Sequence, residues 1–166
     1  MEDRTCDIVQ PTIDSLVIGG GPAGLTAAIY LARYCRTVLL ADSGQSRAAL
    51  ISESHNYPGF MGLSGSELLK RLRSQAEEYG AYIQHSEIRS LNSDTAAFVA
   101  WSEVGAIRAR TVILASGLVD EAPPVEGMTD AVGGGKIRYC PICEPDPPPV
   151  FFGFSFHCRA HRHSSS

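Results

Sequence analysis

The feature that most constrains the fold is a glycine-rich segment between an apolar run and an alanine-rich run. Gly19, Gly21 and Gly24 follow Leu16-Val17-Ile18 in G-x-G-x-x-G spacing, and residues 23–32 continue in helix-favouring composition. A strand, a glycine turn and a helix in this order are typical of a dinucleotide-binding unit. Gly19 would permit the tight turn, Gly21 would let a pyrophosphate approach the backbone, and Gly24 would let helix and strand pack closely. The phosphates would bind to unpaired N–H groups at the helix N-terminus.

An acidic residue about 20 positions further on should bind the ribose hydroxyls in such a unit. Residues 37–41, TVLLA, predict a second parallel strand, and Asp42 follows it, 18 positions after Gly24. The alternative is a glycine turn that only connects a strand to a helix, with Asp42 as an ordinary polar residue at a strand end. The agreement of strand, glycine spacing and acidic residue favours the nucleotide site.

Length and charge narrow the class of protein. The chain has 166 residues and a net charge of −4, which predicts a domain with a real core and gives no indication of nucleic-acid binding. The longest apolar run, residues 16–32, is shorter than the roughly 20 residues of a membrane span and contains glycines and a proline. The N-terminus is acidic and polar, unlike a signal peptide. We therefore expect a cytoplasmic protein without a transmembrane helix.

A loop and a helix follow Asp42. Residues 43–63 are rich in Gly, Ser and Asn and predict a loop at the carboxyl ends of the parallel strands, where ligands of such sheets bind. Ser64 and Glu67 predict a capping box, in which each side chain bonds the backbone N–H of the other residue. The helix should end near Gly80. Its apolar face should contain Leu68, Leu69, Leu72, Ala76 and Tyr79.

Strands dominate the next part of the chain. Residues 81–83 predict a strand, and residues 96–101 and 106–110 predict a small antiparallel hairpin. Residues 111–115, TVILA, are almost wholly apolar, which predicts a buried parallel strand. The glycine triplet at residues 133–135 is interpreted as a connector, because no strand pattern precedes it and no helix pattern follows it.

The five cysteines favour thiol chemistry over a structural disulfide framework, because their number is odd and the chain has no sign of secretion. Cys140 and Cys143 form a C-x-x-C pair, the spacing of a redox dithiol. Together with His157 and His161 they also satisfy the count of a zinc finger. The prolines between these halves leave little room for the helix that a finger needs, so the redox pair is favoured over zinc and over two unremarkable loop cysteines. Cys35 is expected to be a buried apolar residue at a helix end.

The order of the motifs resembles the low-molecular-weight thioredoxin reductases and related FAD-dependent pyridine nucleotide-disulfide oxidoreductases. The similarity extends over residues 14–144, although Ser116 stands where this family normally has threonine. The matching segments are Gly19-Gly20-Gly21-Pro22-Ala23-Gly24, Asn56-Tyr57-Pro58-Gly59-Phe60, Gly62-Leu63-Ser64-Gly65, Ala115-Ser116-Gly117 and Tyr139-Cys140-Pro141-Ile142-Cys143.

The resemblance implies a cofactor and a route for electrons. FAD would bind to the glycine loop, including Pro22 and Ala23, and to Gly117, with Asp42 on the ribose and Asn56 near the flavin. Cys140 and Cys143 would form the active disulfide: Cys143 would face the flavin, Cys140 would exchange with substrate, and Glu144 would handle protons. Electrons would pass from NAD(P)H through FAD to this disulfide, and then to a thioredoxin-like protein or a small disulfide. Full-length relatives would be homodimers.

The expected fold class is α/β, a Rossmann-like FAD-binding domain with a parallel sheet and a small antiparallel hairpin. Residues 1–13 would be a lead-in, 14–118 the N-terminal part of the FAD domain, 119–144 a connector and the start of an NADPH-type domain, and 145–166 an irregular tail. The tail matches nothing in the family, so we expect a truncated form, without an NADPH site and without reductase activity alone. The alternative is a non-enzymatic nucleotide-binding remnant, or a zinc-binding module built from Cys140, Cys143, His157 and His161.

Overall fold

A mixed six-stranded sheet organises the chain in the computed structural model, which describes residues 11–55, 57–93, 96–119, 123–133 and 137. The strands are β1 Ile13–Ile18, β2 Val38–Asp42, β3 Tyr82–His85, β4 Ile88–Ser93, β5 Phe98–Ser102 and β6 Gly105–Leu114. The helices are α1 Pro22–Arg33, α2 Gly65–Glu78 and α3 Met128–Gly133, and a short 3-10 helix spans Arg47–Leu50.

The strand order is β3-β2-β1-β6-β5-β4. β3, β2, β1 and β6 pair in parallel, whereas β6, β5 and β4 pair antiparallel. The centre of the sheet is the β1–β6 pair, where the Ser15 and Thr111 hydroxyls are hydrogen-bonded at 2.8 Å. The expected α/β fold, a parallel sheet with an antiparallel hairpin, is confirmed.

The sheet must curl strongly because its two edge strands are consecutive in the chain. β3 and β4 lie at opposite ends of the strand order, yet only Ser86 and Glu87 connect them. Two linking residues span about 10 Å, whereas the edges of a flat six-stranded sheet lie about 24 Å apart. The antiparallel strands therefore fold over one face, and the Glu87 N–H donates to the Glu103 carboxylate at the β5–β6 turn, at 3.2 Å.

Two apolar clusters fill the two faces of the sheet. On one face α1 and α2 pack against the parallel strands, and the buried residues there are Val17, Leu25, Ala28, Ile29, Ala32, Val38, Leu40, Leu69, Ala76 and Ala81. On the other face the curled strands enclose Leu16, Ala41, Ala100, Ile107 and Ala109. This double coverage buries β1, as expected for a central parallel strand.

The helix α2 differs from its prediction in two details. The Ser64 hydroxyl accepts the Glu67 N–H at 3.2 Å, but the Glu67 carboxylate accepts from the Arg71 Nε at 2.8 Å. Half of the capping box is thus present, because an arginine one turn along offers Glu67 a stronger, charge-assisted partner. Tyr79 is 44% exposed and not part of the core, and the Arg33 guanidinium lies over its ring at 5.5 Å.

The strand predictions needed two corrections at β6. The second strand of the hairpin and the following apolar strand are one continuous ten-residue strand, which pairs first with β5 and then with β1. Its apolar end is not buried: Ile113 is 36% exposed and Leu114 is 69% exposed. Within the described residues, the helices cover β1 to β3 and leave this end of β6 open. β4, whose side chains are mostly polar, was not predicted.

Cys35 was predicted to be buried and is exposed. It has a positive φ of 56° just after the C-cap Tyr34, the left-handed conformation that commonly ends a helix, and it lies within residues 33–37, which are all exposed. The short helix α3 forms where the sequence predicted only turns and a connector. In the part of the chain that the structure describes, no helix is long and apolar enough to span a bilayer.

Candidate nucleotide-binding site

Three strand ends meet at the N-terminus of α1. The Gly19 N–H donates to the Ala41 carbonyl at 2.9 Å, and the Ala115 N–H donates to the Ile18 carbonyl at 2.8 Å. These bonds place the segments that follow β1, β2 and β6 side by side at the carboxyl edge of the sheet. Ligands of open α/β sheets bind at this edge.

Gly19 and Gly24 are required by the packing of the loop itself. Gly19 has a φ of +113°, and a Cβ there would overlap the carbonyl group of Ala115. A Cβ on Gly24 would overlap the carbonyl oxygen of Gly19 and lie 3.3 Å from the Ala115 Cβ. The turn and the close approach of helix to strand both depend on these glycines, in agreement with the roles that their spacing predicts.

Gly21 differs, because the space beside it is open. It is the N-cap of α1 with φ −77° and ψ 179°, a conformation that any residue can adopt. Of the described residues, only Ser46 comes within 4 Å of a Cβ built there, with its Oγ at 3.4 Å. No described side chain caps this helix end, although Pro22 starts it and Ala23 is exposed. The first N–H groups of α1 therefore point towards open space next to a residue without a side chain.

Asp42 lies directly against the glycine loop. Its Oδ1 accepts the Gly44 N–H at 2.8 Å, and its Oδ2 accepts from the Arg73 Nη2 at 2.6 Å. A Cβ on Gly20 would overlap the Asp42 carboxylate, so this glycine is needed for the carboxylate to reach the loop. Asp42 is 3% exposed overall.

Three members of this constellation were missed in the sequence. Gly20 occupies one of the three variable positions of the G-x-G-x-x-G pattern, so the motif gives no reason to select it. Gly44 follows Asp42 by two residues, a spacing typical of a local aspartate turn, which could have been recognised. Arg73 gives no signal, because it is 31 residues from Asp42 and on a different element.

The other predicted site residues fall into two groups. Gly117 is described: it has a φ of +70°, is exposed, and lies just beyond Ala115 at the same edge of the sheet. The remaining residues, Asn56, Cys140, Cys143, Glu144, His157 and His161, lie outside the described residues. Among the residues that are described, no three His, Cys, Asp or Glu side chains are grouped as metal ligands.

One family model and several known proteins are similar in sequence to this chain. The family model described as pyridine nucleotide-disulphide oxidoreductase matches residues 13–145. Thioredoxin reductase from Aquifex aeolicus is 38% identical over 136 residues, and that from Treponema pallidum is 32% identical over 139. The matches cover 79% and 82% of this chain but 42% and 45% of the two relatives. The chain therefore spans less than half the length of these curated relatives.

Solved structures of thioredoxin reductases also match most of this chain but less than half of their own length. A thioredoxin reductase from Gloeobacter violaceus matches with a TM-score of 0.65 and 28% identity, over 79% of this chain and 44% of that one. Thioredoxin reductase from Giardia duodenalis matches with a TM-score of 0.70 and 26% identity, over 76% of this chain and 42% of the other.

Proposed function

The chain belongs to the pyridine nucleotide-disulphide oxidoreductase family, and on that premise we propose that its glycine loop and Asp42 bind the ADP half of FAD. The observation that carries this proposal is the open space at Gly21. A glycine whose φ suits any residue, with almost no protein atom beside it, keeps that space free for something other than protein. The positive end of α1 faces the same space, and it attracts a pyrophosphate.

The individual residues support different parts of the cofactor. The pyrophosphate would lie against Gly21 and Ala23, where the N–H groups of α1 begin. Asp42, at the end of β2, would accept the ribose hydroxyls. Gly117 and Asn56 are proposed to contact the cofactor further along, towards the flavin. FAD would supply two-electron transfer between a nicotinamide and a disulfide.

We assign the disulfide chemistry to the C-x-x-C pair. Cys143 would face the flavin, Cys140 would attack the substrate disulfide, and Glu144 would exchange the protons that thiol formation requires. Reduction of the Cys140–Cys143 disulfide takes two electrons, which NAD(P)H would provide, and gives two thiols. Thiol–disulfide exchange then passes both electrons to the substrate. We propose a thioredoxin-like protein as the substrate, because the matching relatives are named thioredoxin reductases. We propose the cytoplasm as the compartment, because thiols are kept reduced there.

A second candidate function is nucleotide binding without turnover. This second function is favoured because, among the described residues, only one glycine loop lies between a strand and a helix. FAD would occupy that loop. A nicotinamide would need another such site. In this case the chain would bind flavin but would not oxidise NADPH.

The binding test is FAD reconstitution of the chain and of Gly21→Val. The valine side chain would occupy the space assigned to the pyrophosphate, so we expect flavin retention to be lost while the unfolding temperature stays close to that of the parent. Thr26→Val is the matched control, because Thr26 is exposed on the same helix, away from the loop. Equal flavin affinity in Gly21→Val, or NAD bound with no flavin recoverable, would refute the proposal.

Turnover is tested separately. The reconstituted chain is mixed with NADPH and a disulfide reporter, and the absorbance of NADPH is followed. We expect no oxidation beyond the buffer control if the chain only binds flavin. Turnover that disappears in both Cys140→Ser and Cys143→Ser would instead establish the reductase activity.

A further inference from the structure

Arg73 connects the helix α2 to the candidate ribose subsite. Its Nη2 lies 2.6 Å from the Asp42 Oδ2, which makes this a charge-assisted hydrogen bond between two elements 31 residues apart. The Asp42 side chain is 5% exposed and the Arg73 side chain is 39% exposed. Arg73 therefore covers the carboxylate from the solvent side while its own guanidinium remains within reach of a ligand.

The number of hydrogen bonds at Asp42 leaves room for two more. An ionised carboxylate has about four acceptor positions, two on each oxygen. The Gly44 N–H uses one on Oδ1, and Arg73 uses one on Oδ2. One position remains on each oxygen, which is what two neighbouring ribose hydroxyls require. Both bonds also fix the rotation of the carboxylate, so the remaining positions have a defined direction.

Gly20 shows that the Asp42 carboxylate lies against the glycine loop, where the nucleotide is proposed to bind. A Cβ there would overlap the Asp42 carboxylate, so the carboxylate lies where the side chain of the glycine loop would otherwise be. Without Arg73, a nearly buried carboxylate would lose its charged partner and would be free to turn towards water. The guanidinium thus holds the orientation of the carboxylate.

We propose that Arg73 is a positioning residue for ribose recognition: it holds the Asp42 carboxylate so that one lone pair on each oxygen faces the two hydroxyls. This inference rests on the proposed function, since it presupposes a nucleotide at the glycine loop. It assigns a specific role to a residue of α2 that does not itself need to touch the ribose.

The experiment compares ADP with 2′,3′-dideoxy-ADP by titration calorimetry. We expect Arg73→Gln to weaken ADP binding about tenfold, because a misoriented Asp42 carboxylate would lose about one hydrogen bond to the ribose hydroxyls. Binding of the dideoxy nucleotide, which lacks both hydroxyls, should change less than about twofold by the same reasoning. Arg73→Lys should restore part of the ADP affinity, because an ammonium group can still donate to Oδ2. Arg71→Gln is the control: Arg71 is on the same helix, but its partner is Glu67, at 2.8 Å.

The outcomes separate this inference from the proposed function. Equal weakening of both nucleotides by Arg73→Gln would show a merely structural role and overturn the inference, as would unchanged or stronger ADP binding. An unsubstituted chain that does not prefer ADP over the dideoxy nucleotide would overturn it too. An unsubstituted chain that binds neither nucleotide would refute the proposed function and the inference together. If Arg73→Gln does not fold, Arg73→Lys decides: selective weakening of ADP supports the proposal, and its absence refutes it.

Discussion

Replacement of Gly24 by alanine should destabilise the chain, although the same change inside most helices is stabilising. Alanine is favoured over glycine in a helix interior by about 0.8–1.0 kcal/mol. At Gly24, however, the added Cβ would overlap the Gly19 carbonyl oxygen, and it would also lie 3.1 Å from the carbon of that carbonyl. Both obstacles are backbone atoms, which cannot rotate out of the way as a flexible side chain can.

The magnitude follows from these two opposing terms. Relief of the overlap requires α1 to move away from β1, and overpacking of this kind costs about 1–3 kcal/mol. The upper part of that range applies, because the contact is with backbone and the neighbouring Ala28 and Ile29 are buried against the sheet. After subtraction of the helix-propensity gain, we expect a net loss of about 2 kcal/mol. For a chain of this size, that corresponds to a decrease in unfolding temperature of about 4–8 °C.

Thermal and urea unfolding, followed by circular dichroism without added nucleotide, measure this change directly. Thr26→Ala is the matched control: it raises helix propensity by up to about 0.7 kcal/mol at an exposed position of α1 and should leave stability equal or slightly higher. A Gly24→Ala variant as stable as the parent would show that the displacement of α1 costs no more than the helix-propensity gain of about 0.8–1.0 kcal/mol. The assignment of Gly24 to close helix–strand packing would then be wrong.

Three further predictions concern other parts of the chain. Hydrogen bonds from the Thr37 backbone N–H and hydroxyl, with the nearby Arg110, hold the pKa of Asp14 below its ordinary value. The stabilising contribution of Asp14 is therefore present above about pH 4 and is lost as pH falls through the lowered pKa. Asp14→Asn should make the urea midpoint decrease less steeply below about pH 4. An unchanged slope of urea midpoint against pH would contradict this. Mild oxidation should link Cys140 and Cys143 and reduce thiol labelling by two, whereas zinc that co-purifies and is lost in His157→Ala would favour the finger. Leu114→Lys should reduce self-association, as measured by sedimentation velocity, because Leu114 is an apolar side chain that is 69% exposed. Identical sedimentation of parent and variant would show that this surface does not mediate association.

Local spacing was sufficient to predict the strand, the glycine turn and the helix that follow one another in residues 13–33. Gly19, Gly24 and Asp42 are fixed by their positions relative to two strands and one helix, and each lies where that pattern requires. The elements are contiguous in the chain, so their geometry follows from strand and helix periodicity. Gly21 was assigned by the same reasoning, and the open space beside it is consistent with the assignment.

Contacts between distant elements could not be predicted in the same way. The pairing of Arg73 with Asp42 depends on where α2 crosses β2, which no local pattern specifies. The exposure of Leu114 was missed because an apolar strand was taken to be covered on both faces, an assumption about other elements. Only one of the two capping-box hydrogen bonds forms, because Arg71 competes for the Glu67 carboxylate. A motif does not show such competition between side chains.

The β1–β6 pair at the centre of the sheet has a consequence for how the chain folds. The Ser15 and Thr111 hydroxyls that bond across it are 96 residues apart, whereas β5 and β6 are joined by a two-residue turn. Pairing between distant segments is slow, because the loop must close before any contact compensates for the lost entropy, while hairpins form within about 1–10 μs. We therefore expect the β4–β5–β6 meander to form early and β1 to join it last. Pulsed hydrogen exchange during refolding should protect the Ala100 amide before that of Leu16, so the strand that carries the glycine loop becomes ordered only when the whole sheet closes.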